Sequence, residues 1–176
     1  MLKTLRKIAS VGLVTETAPS ADPLLLVRNT LDERIRAVLG RALCIRHVDA
    51  GSCNGCELEI HALNNPLYNL EGLGIRFVAS PRHADLLLVT GPVASNMERA
   101  LRRVYDATPD PKLVVAIGDC GCTGGVFGES ARCRGKVSNV IPVDVVVPGC
   151  PPSPIRILTG ILTAITNLRG RSETGK

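Results

Sequence analysis

Leu113-Val114-Val115-Ala116-Ile117-Gly118-Asp119-Cys120-Gly121 is an apolar, β-branched run that ends in a glycine-rich turn carrying a thiol. An uncharged run of this kind suits a strand buried on both faces. A strand-like run followed by a glycine-containing turn recurs along the chain. Cys44–Val48 leads into Gly51-Ser52-Cys53-Asn54-Gly55-Cys56, Leu86–Thr90 into Gly91-Pro92-Val93, and Val143–Val147 into Pro148-Gly149-Cys150-Pro151-Pro152. Ile75–Ala79 is a further strand candidate. Helical segments lie between, at Gly55–Asn64, Ser95–Ala107 and Pro154–Asn167. Ser95 and Ser153 suit N-caps, and Pro154 suits a first helical turn. Strands alternating with helices predict an α/β fold, an open parallel sheet with helices on its faces. In such a sheet the loops that follow the strands share one edge, where ligands bind. Cys53, Cys56, Cys120 and Cys150 are therefore expected at a single point despite their separation in sequence.

The 176 residues suggest one domain, at 43–168, flanked by an N-terminal extension at 1–42 and a polar tail at 169–176. With no Trp, two Tyr and two Phe, the core must be aliphatic. A net charge of +5 is mild, and no aromatics interleave with the basic residues to stack bases, so nucleic-acid binding is not expected. Seven cysteines cannot all pair, which argues against a disulfide framework and for a reducing compartment. No stretch approaches the ~20 apolar residues of a membrane span. Lys3, Arg6 and Lys7 before the apolar run 8–14, with Ala18-Pro19-Ser20-Ala21 beyond, have the outline of a secretory signal. That run is short, however, and Thr15-Glu16-Thr17 interrupts it. The preferred reading is a basic amphipathic helix, with Leu2, Leu5, Ile8 and Leu13 on one face, lying on a membrane surface, a partner subunit or its own domain. A linker with Pro19 and Pro23 follows, then a second helix over about 32–43.

One Cys-x-x-Cys pair plus two distant single cysteines supplies the four thiolates that a four-iron cluster requires. Glycines around each thiol allow close backbone approach, and a helix N-terminus after Pro151-Pro152 favours an anionic group. A structural Cys₄ zinc site is the main chemical rival, although zinc ribbons usually pair two Cys-x-x-Cys knuckles close in sequence. Plain buried thiols are the third reading. Cys44 reads as a core residue, Cys122 as a near neighbour of the preferred Cys120, and Cys133 as a free thiol. His47 and His61 read as hydrogen-bonded structural residues. Glu57 and Glu59 suit the start of a helix, or a position facing the cluster or a proton path. Neither Gly-x-Gly-x-x-Gly nor a P-loop is present.

Three motifs in order, Gly51-Ser52-Cys53-Asn54-Gly55-Cys56-Glu57-Leu58-Glu59-Ile60, Gly118-Asp119-Cys120 with Gly124-Gly125, and Pro148-Gly149-Cys150-Pro151-Pro152, resemble the small subunit of membrane-bound, energy-converting [NiFe] hydrogenases of the formate hydrogenlyase type. The same superfamily contains the subunit of respiratory complex I that carries its terminal cluster. The resemblance spans about residues 40–165. It implies a flavodoxin-like fold and one [4Fe–4S] cluster held by Cys53, Cys56, Cys120 and Cys150. It further implies a hydrogenase-type large subunit with a [NiFe] or quinone site, a ferredoxin-like iron–sulfur subunit, and membrane-arm subunits as partners. The implied place is peripheral, on the cytoplasmic side of the inner or plasma membrane. Glu59 falls where complex I relatives carry a glutamate near the quinone pocket. Those relatives have two adjacent cysteines in the first motif, whereas Cys53-x-x-Cys56 follows the hydrogenase pattern. In relatives the third motif usually continues with Arg and Glu; here Ser153 and Ile155 follow Pro152. The resemblance thus implies an oxidoreductase subunit that relays electrons in hydrogen chemistry, with the terminal-cluster subunit of a complex I-like NADH–quinone oxidoreductase as the alternative.

Overall fold

In the computed structural model, which describes residues 2–11 and 23–174, the chain forms a doubly wound α/β unit. Five strands build the main sheet: β1 Leu43–Asp49, β2 Ile75–Phe77, β3 Leu86–Thr90, β4 Leu113–Ile117 and, after a hairpin of two short strands, β7 Val145–Val147. All four pairings are parallel and the spatial order is β2-β1-β3-β4-β7. Counting only sheet strands, this is the flavodoxin-like 2-1-3-4-5 order, with its switch point between β1 and β3. The hairpin is β5 Glu129–Ser130 with β6 Cys133–Arg134.

The helices are α1 Leu2–Val11, α2 Pro23–Leu39, α3 Gly55–Ala62, α4 Ser95–Ala107, α5 Gly118–Thr123 and α6 Pro154–Thr174. The period-2 alternation of the strands divides the core between the two faces of the sheet. Leu86, Leu88, Leu113, Val115 and Ile117 join Leu31 and Ile35 of α2 and Ile157, Leu158 and Ile161 of α6 in one cluster. Leu87, Val89, Val114 and Ala116 pack on the other face with Leu101 of α4 and the Val137–Ile141 segment. At ~25 cal/mol per Å² of apolar surface, fully burying one such Leu or Ile stabilises by roughly 1.5–3 kcal/mol. These two layers therefore hold the sheet rigid beneath its loops.

Several expected boundaries shift. The second helix, expected over 32–43, runs Pro23–Leu39. Pro23 opens it, as proline does in a first turn, and residues 40 and 41 turn the chain into β1. This helix packs on α6 and sends Leu24, Leu31 and Ile35 into the core. α6 continues to Thr174, through the segment expected as a tail. Ser95 does not cap α4: the cap position is Ala94, and the Ser95 hydroxyl donates instead to the Ala131 carbonyl at 3.1 Å. The basic N-terminal helix is present as α1, with Lys3, Arg6 and Lys7 exposed. Leu13, the Ala18–Ala21 segment and Pro19 lie outside the described residues.

Candidate metal centre

Each of the four cysteine positions follows directly from the winding of the sheet. The chain leaves β1 at Asp49, β4 at Ile117 and β7 at Val147, all at the carboxyl edge. Cys53, Cys56, Cys120 and Cys150 line one small hollow there, about 40 Å³, together with Ser52, Gly55, Gly91, Asp119, Gly149 and Pro151. Cys53 and Cys150 are exposed; Cys56 and Cys120 are half-buried.

Local hydrogen bonds shape each loop. Asp49 Oδ1 accepts from the N–H groups of both Gly51 and Ser52, at 2.8 Å each, and folds the chain back after β1. Asn54, in the left-handed region at φ 71°, then turns the chain into α3, which carries Cys56. Cys120 sits in the short helix α5, which leaves β4 through Gly118 at φ 82°. A Cβ on Gly118 would stand 2.6 Å from Cys56 Sγ, and one on Gly125 would stand 2.8 Å from Cys120 Sγ. Both glycines keep space open beside a thiol. The Asp119 N–H donates to the Gly149 carbonyl at 2.9 Å, and the Gly149 N–H donates to Asp119 Oδ1 at 2.7 Å.

The electrostatics disfavour bare thiolates at Cys56 and Cys120. Burial, then Glu57, then the neighbouring Cys120, Cys53 and Cys150 push the Cys56 thiol up to about 12. Burial, followed by Cys150, Cys53 and Asp119, raises Cys120 too. Four anionic sulfurs at one point repel one another, so the thiolate form needs a cation among them. A coordinated metal supplies that charge and deprotonates its thiols outright.

The family model described as "NADH ubiquinone oxidoreductase, 20 Kd subunit" matches residues 53–164, which take in all four cysteines. The chain belongs to this family. Among family relatives, the probable membrane-bound hydrogenase subunit mbhJ of Pyrococcus furiosus is 48% identical over 144 residues, covering 80% of this chain and 86% of its own. Formate hydrogenlyase subunit 7 of Escherichia coli is 41% identical over 77% of this chain, which spans 56% of that longer protein. An NADH-quinone oxidoreductase subunit of Desulfovibrio desulfuricans is 44% identical over 70% of this chain and 66% of its own. The solved structure of the membrane-bound sulfane sulfur reductase, an archaeal respiratory membrane complex, contains a chain that aligns with a TM-score of 0.61 at 30% identity, covering 89% of this chain and 78% of that one. Family membership and this alignment agree with the flavodoxin-like order of the sheet. Among the described residues no helix is long and apolar enough to cross a membrane.

The remaining cysteines of this family member lie apart from the hollow. Cys44 is buried at the start of β1, at the opposite edge of the sheet. Cys122 is half-buried, and its thiol donates to the Ala116 carbonyl at 3.7 Å. Burial pushes it up to about 11. Cys133, in the hairpin, accepts from the Gly135 N–H at 3.4 Å.

Of the two candidate carboxylates, Glu57 rather than Glu59 is buried, at 7% exposure. Neither of its oxygens has a hydrogen-bond partner among the described residues, and Oε1 lies 3.6 Å from His47 Nε2. The same His47 nitrogen is 3.0 Å from Thr90 Oγ1. Burial lowers the His47 pKa, against the upward pulls of Glu57 and Asp49. Glu59 is half-buried, and His61 is exposed in the last turn of α3.

Two residues that shape the centre, Asp49 and Asp119, went unread as such in the sequence. The Asp49-x-Gly51 spacing is a recognisable Asx-turn signal. The Asp119–Gly149 contact carried no local signal, because it joins loops thirty residues apart.

Proposed function

We propose that this protein is the electron-transfer subunit of a membrane-associated oxidoreductase complex, holding one [4Fe–4S] cluster with Cys53, Cys56, Cys120 and Cys150. The convergence of these four thiols on one hollow carries the proposal. When bound, such a cluster supplies one-electron transfer. The chain's own residues do the rest. Four thiolates bind, Gly118 and Gly125 leave room beside them, and the sheet edge fixes their relative positions.

Hydrogen chemistry beside a [NiFe] large subunit is the reading best supported. The Cys53-x-x-Cys56 pair and the identities to the two hydrogenase relatives carry it. The 44% identity to an NADH-quinone oxidoreductase subunit supports quinone reduction as the second reading. In either complex the chain would pass electrons between a ferredoxin-like subunit and the large subunit, on the cytoplasmic face of the membrane. Helix α1, basic and without acidic residues, would contact the membrane-arm subunits or the bilayer surface. Glu59 would serve a proton path or quinone pocket in the partner, and Glu57, buried beside the centre, is the second candidate for that role.

Replacement of a ligand tests the assignment. Cys150→Ser should lose or degrade the cluster, with iron content and the reduced-state EPR signal falling together, and turnover of the complex should cease. Cys133→Ser should retain all three. One zinc and no iron per wild-type chain would end the electron-transfer reading. The sequence of the large subunit separates the two chemistries, because two Cys-x-x-Cys pairs there are expected for nickel.

A further inference from the structure

We infer that Asp119 is a positioning residue for the fourth ligand: its carboxylate and its backbone N–H clamp the loop that presents Cys150 to the loop that presents Cys120. The inference rests on the cluster reading above and goes beyond the four ligands to the device that sets their spacing.

The clamp is reciprocal. The Asp119 N–H reaches the Gly149 carbonyl at 2.9 Å, and Asp119 Oδ1 receives the Gly149 N–H at 2.7 Å. Each partner immediately precedes a thiol residue, Cys120 on one side and Cys150 on the other. Two opposed hydrogen bonds fix both the distance and the twist between the loops; a single bond would leave the twist free. The need for such a device is local. β7 is only three residues long, and after it the chain runs through Pro148 to an exposed Cys150 without another regular element until Pro154. Cys56, by contrast, is held within α3, and Cys120 within α5. The Cys150 loop therefore borrows its order from α5. An ionised acceptor is suited to the task, since a charge-assisted bond is shorter and stronger than a neutral one. The mean N···O distance expected for a neutral amide pair is ~2.9–3.0 Å, and the Asp119 bond is shorter than that.

Two variants of the full chain separate the clamp from the mere presence of charge. Asp119→Asn keeps a side-chain oxygen in place and removes the charge; Asp119→Ala removes the acceptor. Both are loaded with cluster, and iron loss to a chelator is followed by absorbance and EPR. Amide hydrogen exchange at Gly149 is measured in parallel. The alanine variant should lose iron at least ~10-fold faster than wild type, the 1.4 kcal/mol equivalent of a lost hydrogen bond, with Gly149 exchange accelerated. The asparagine variant keeps an acceptor but loses the charge assistance, so it should lose iron faster than wild type yet clearly more slowly than the alanine variant, with Gly149 still protected. Wild-type iron retention and Gly149 protection in the alanine variant would overturn the clamp while leaving the cluster reading intact. Equal failure of both variants would assign the effect to charge and overturn it as well. If the alanine chain does not fold, by circular dichroism, the asparagine chain alone decides: unprotected Gly149 with rapid iron loss overturns the clamp, and retention supports it. An absence of iron and EPR signal in the wild type itself would instead bring down the cluster reading, and the ligand-positioning role with it.

Discussion

The two edges of the sheet are built from similar parts and finished differently. At the amino edge Asp85 accepts the Cys44 N–H at 3.0 Å, and Asp144 accepts the Val114 N–H at 2.8 Å, so acids tie down strand starts. At the carboxyl edge Asp49 and Asp119 likewise accept backbone N–H groups. At the amino edge, however, Arg41 answers Asp85 with a two-bond ion pair. Among the described residues no ion pair meets Asp49 or Asp119, and four thiols stand beside them. The larger hollow, about 590 Å³, lies at the amino edge and includes Arg41, Arg76, Arg82, Asp85 and Asp110. The thiols line one of only about 40 Å³. Volume marks an open groove of mixed charge; convergent donors without a counter-charge mark the centre. An acid answered by an arginine of its own chain, as Asp85 is by Arg41, reads as structural. An edge of convergent thiols calls for a cation from outside the chain.

The sharpest way to break this contrast is at Gly118. An added Cβ would meet Cys56 Sγ at 2.6 Å, on a residue at φ 82°. Any L side chain costs about 1–2 kcal/mol in that conformation before the clash is counted. Gly118→Ala should reduce iron per chain to a small fraction of wild type, while circular dichroism still reports the α/β fold. A full complement of iron in this variant would show that the space beside Cys56 is not used by the bound group.

Much of this contrast was legible in the sequence, and what was not has a physical reason. β3 and β4 coincide residue for residue with the expected strands because a strand buried on both faces is uncharged throughout. β7 is shorter than expected because Asp144 turns its carboxylate to the Val114 N–H. α2 was expected too late, since Pro23 and a run of leucines read as linker when they were the first turn and buried face of a helix on α6. α5 was missed because Gly118-Asp119-Cys120-Gly121 has poor helix propensity; it is one short turn held between β4, β7 and the hydrogen bonds of Asp119. The four thiols could be anticipated from topology alone. The buried Glu57 could not be told from Glu59, because both fall in the α3 turn that follows Cys56, and only packing distinguishes them.

A second, smaller effect is expected at the amino edge. Asp85→Ala removes the acceptor of the Cys44 N–H and leaves that buried donor without it, at a cost of about 1.5–3 kcal/mol. The melting temperature should fall by roughly 5–10 °C for a chain of this size. Arg41→Ala should cost less than about 1 kcal/mol, because its side chain is 60% exposed and solvent screens the pair. Cluster content should be unchanged in both, as judged by iron and EPR. Loss of cluster in Asp85→Ala at a temperature where the chain remains folded would show that the two edges are coupled.

The smallest effect separates Cys122 from Cys120, two residues apart in α5. Burial pushes Cys122 up to about 11. At pH 8 its thiolate fraction would be roughly 100-fold below that of a thiol at the ordinary value, so alkylation should slow by about that factor. The sign is fixed by the direction of the shift: raising the pH toward 11 should restore reactivity, and lowering it should not. In the cluster-loaded chain, timed alkylation read by mass spectrometry should therefore find Cys122 free but slow, with Cys120 unmodified throughout. Cys122→Ala removes one small half-buried side chain and its 3.7 Å contact to the Ala116 carbonyl. It should leave iron content unchanged and shift the melting temperature by only a few degrees. Rapid modification of Cys120 beside a protected Cys122 would reverse the assignment within this turn, and would move one corner of the centre from Cys120 to Cys122.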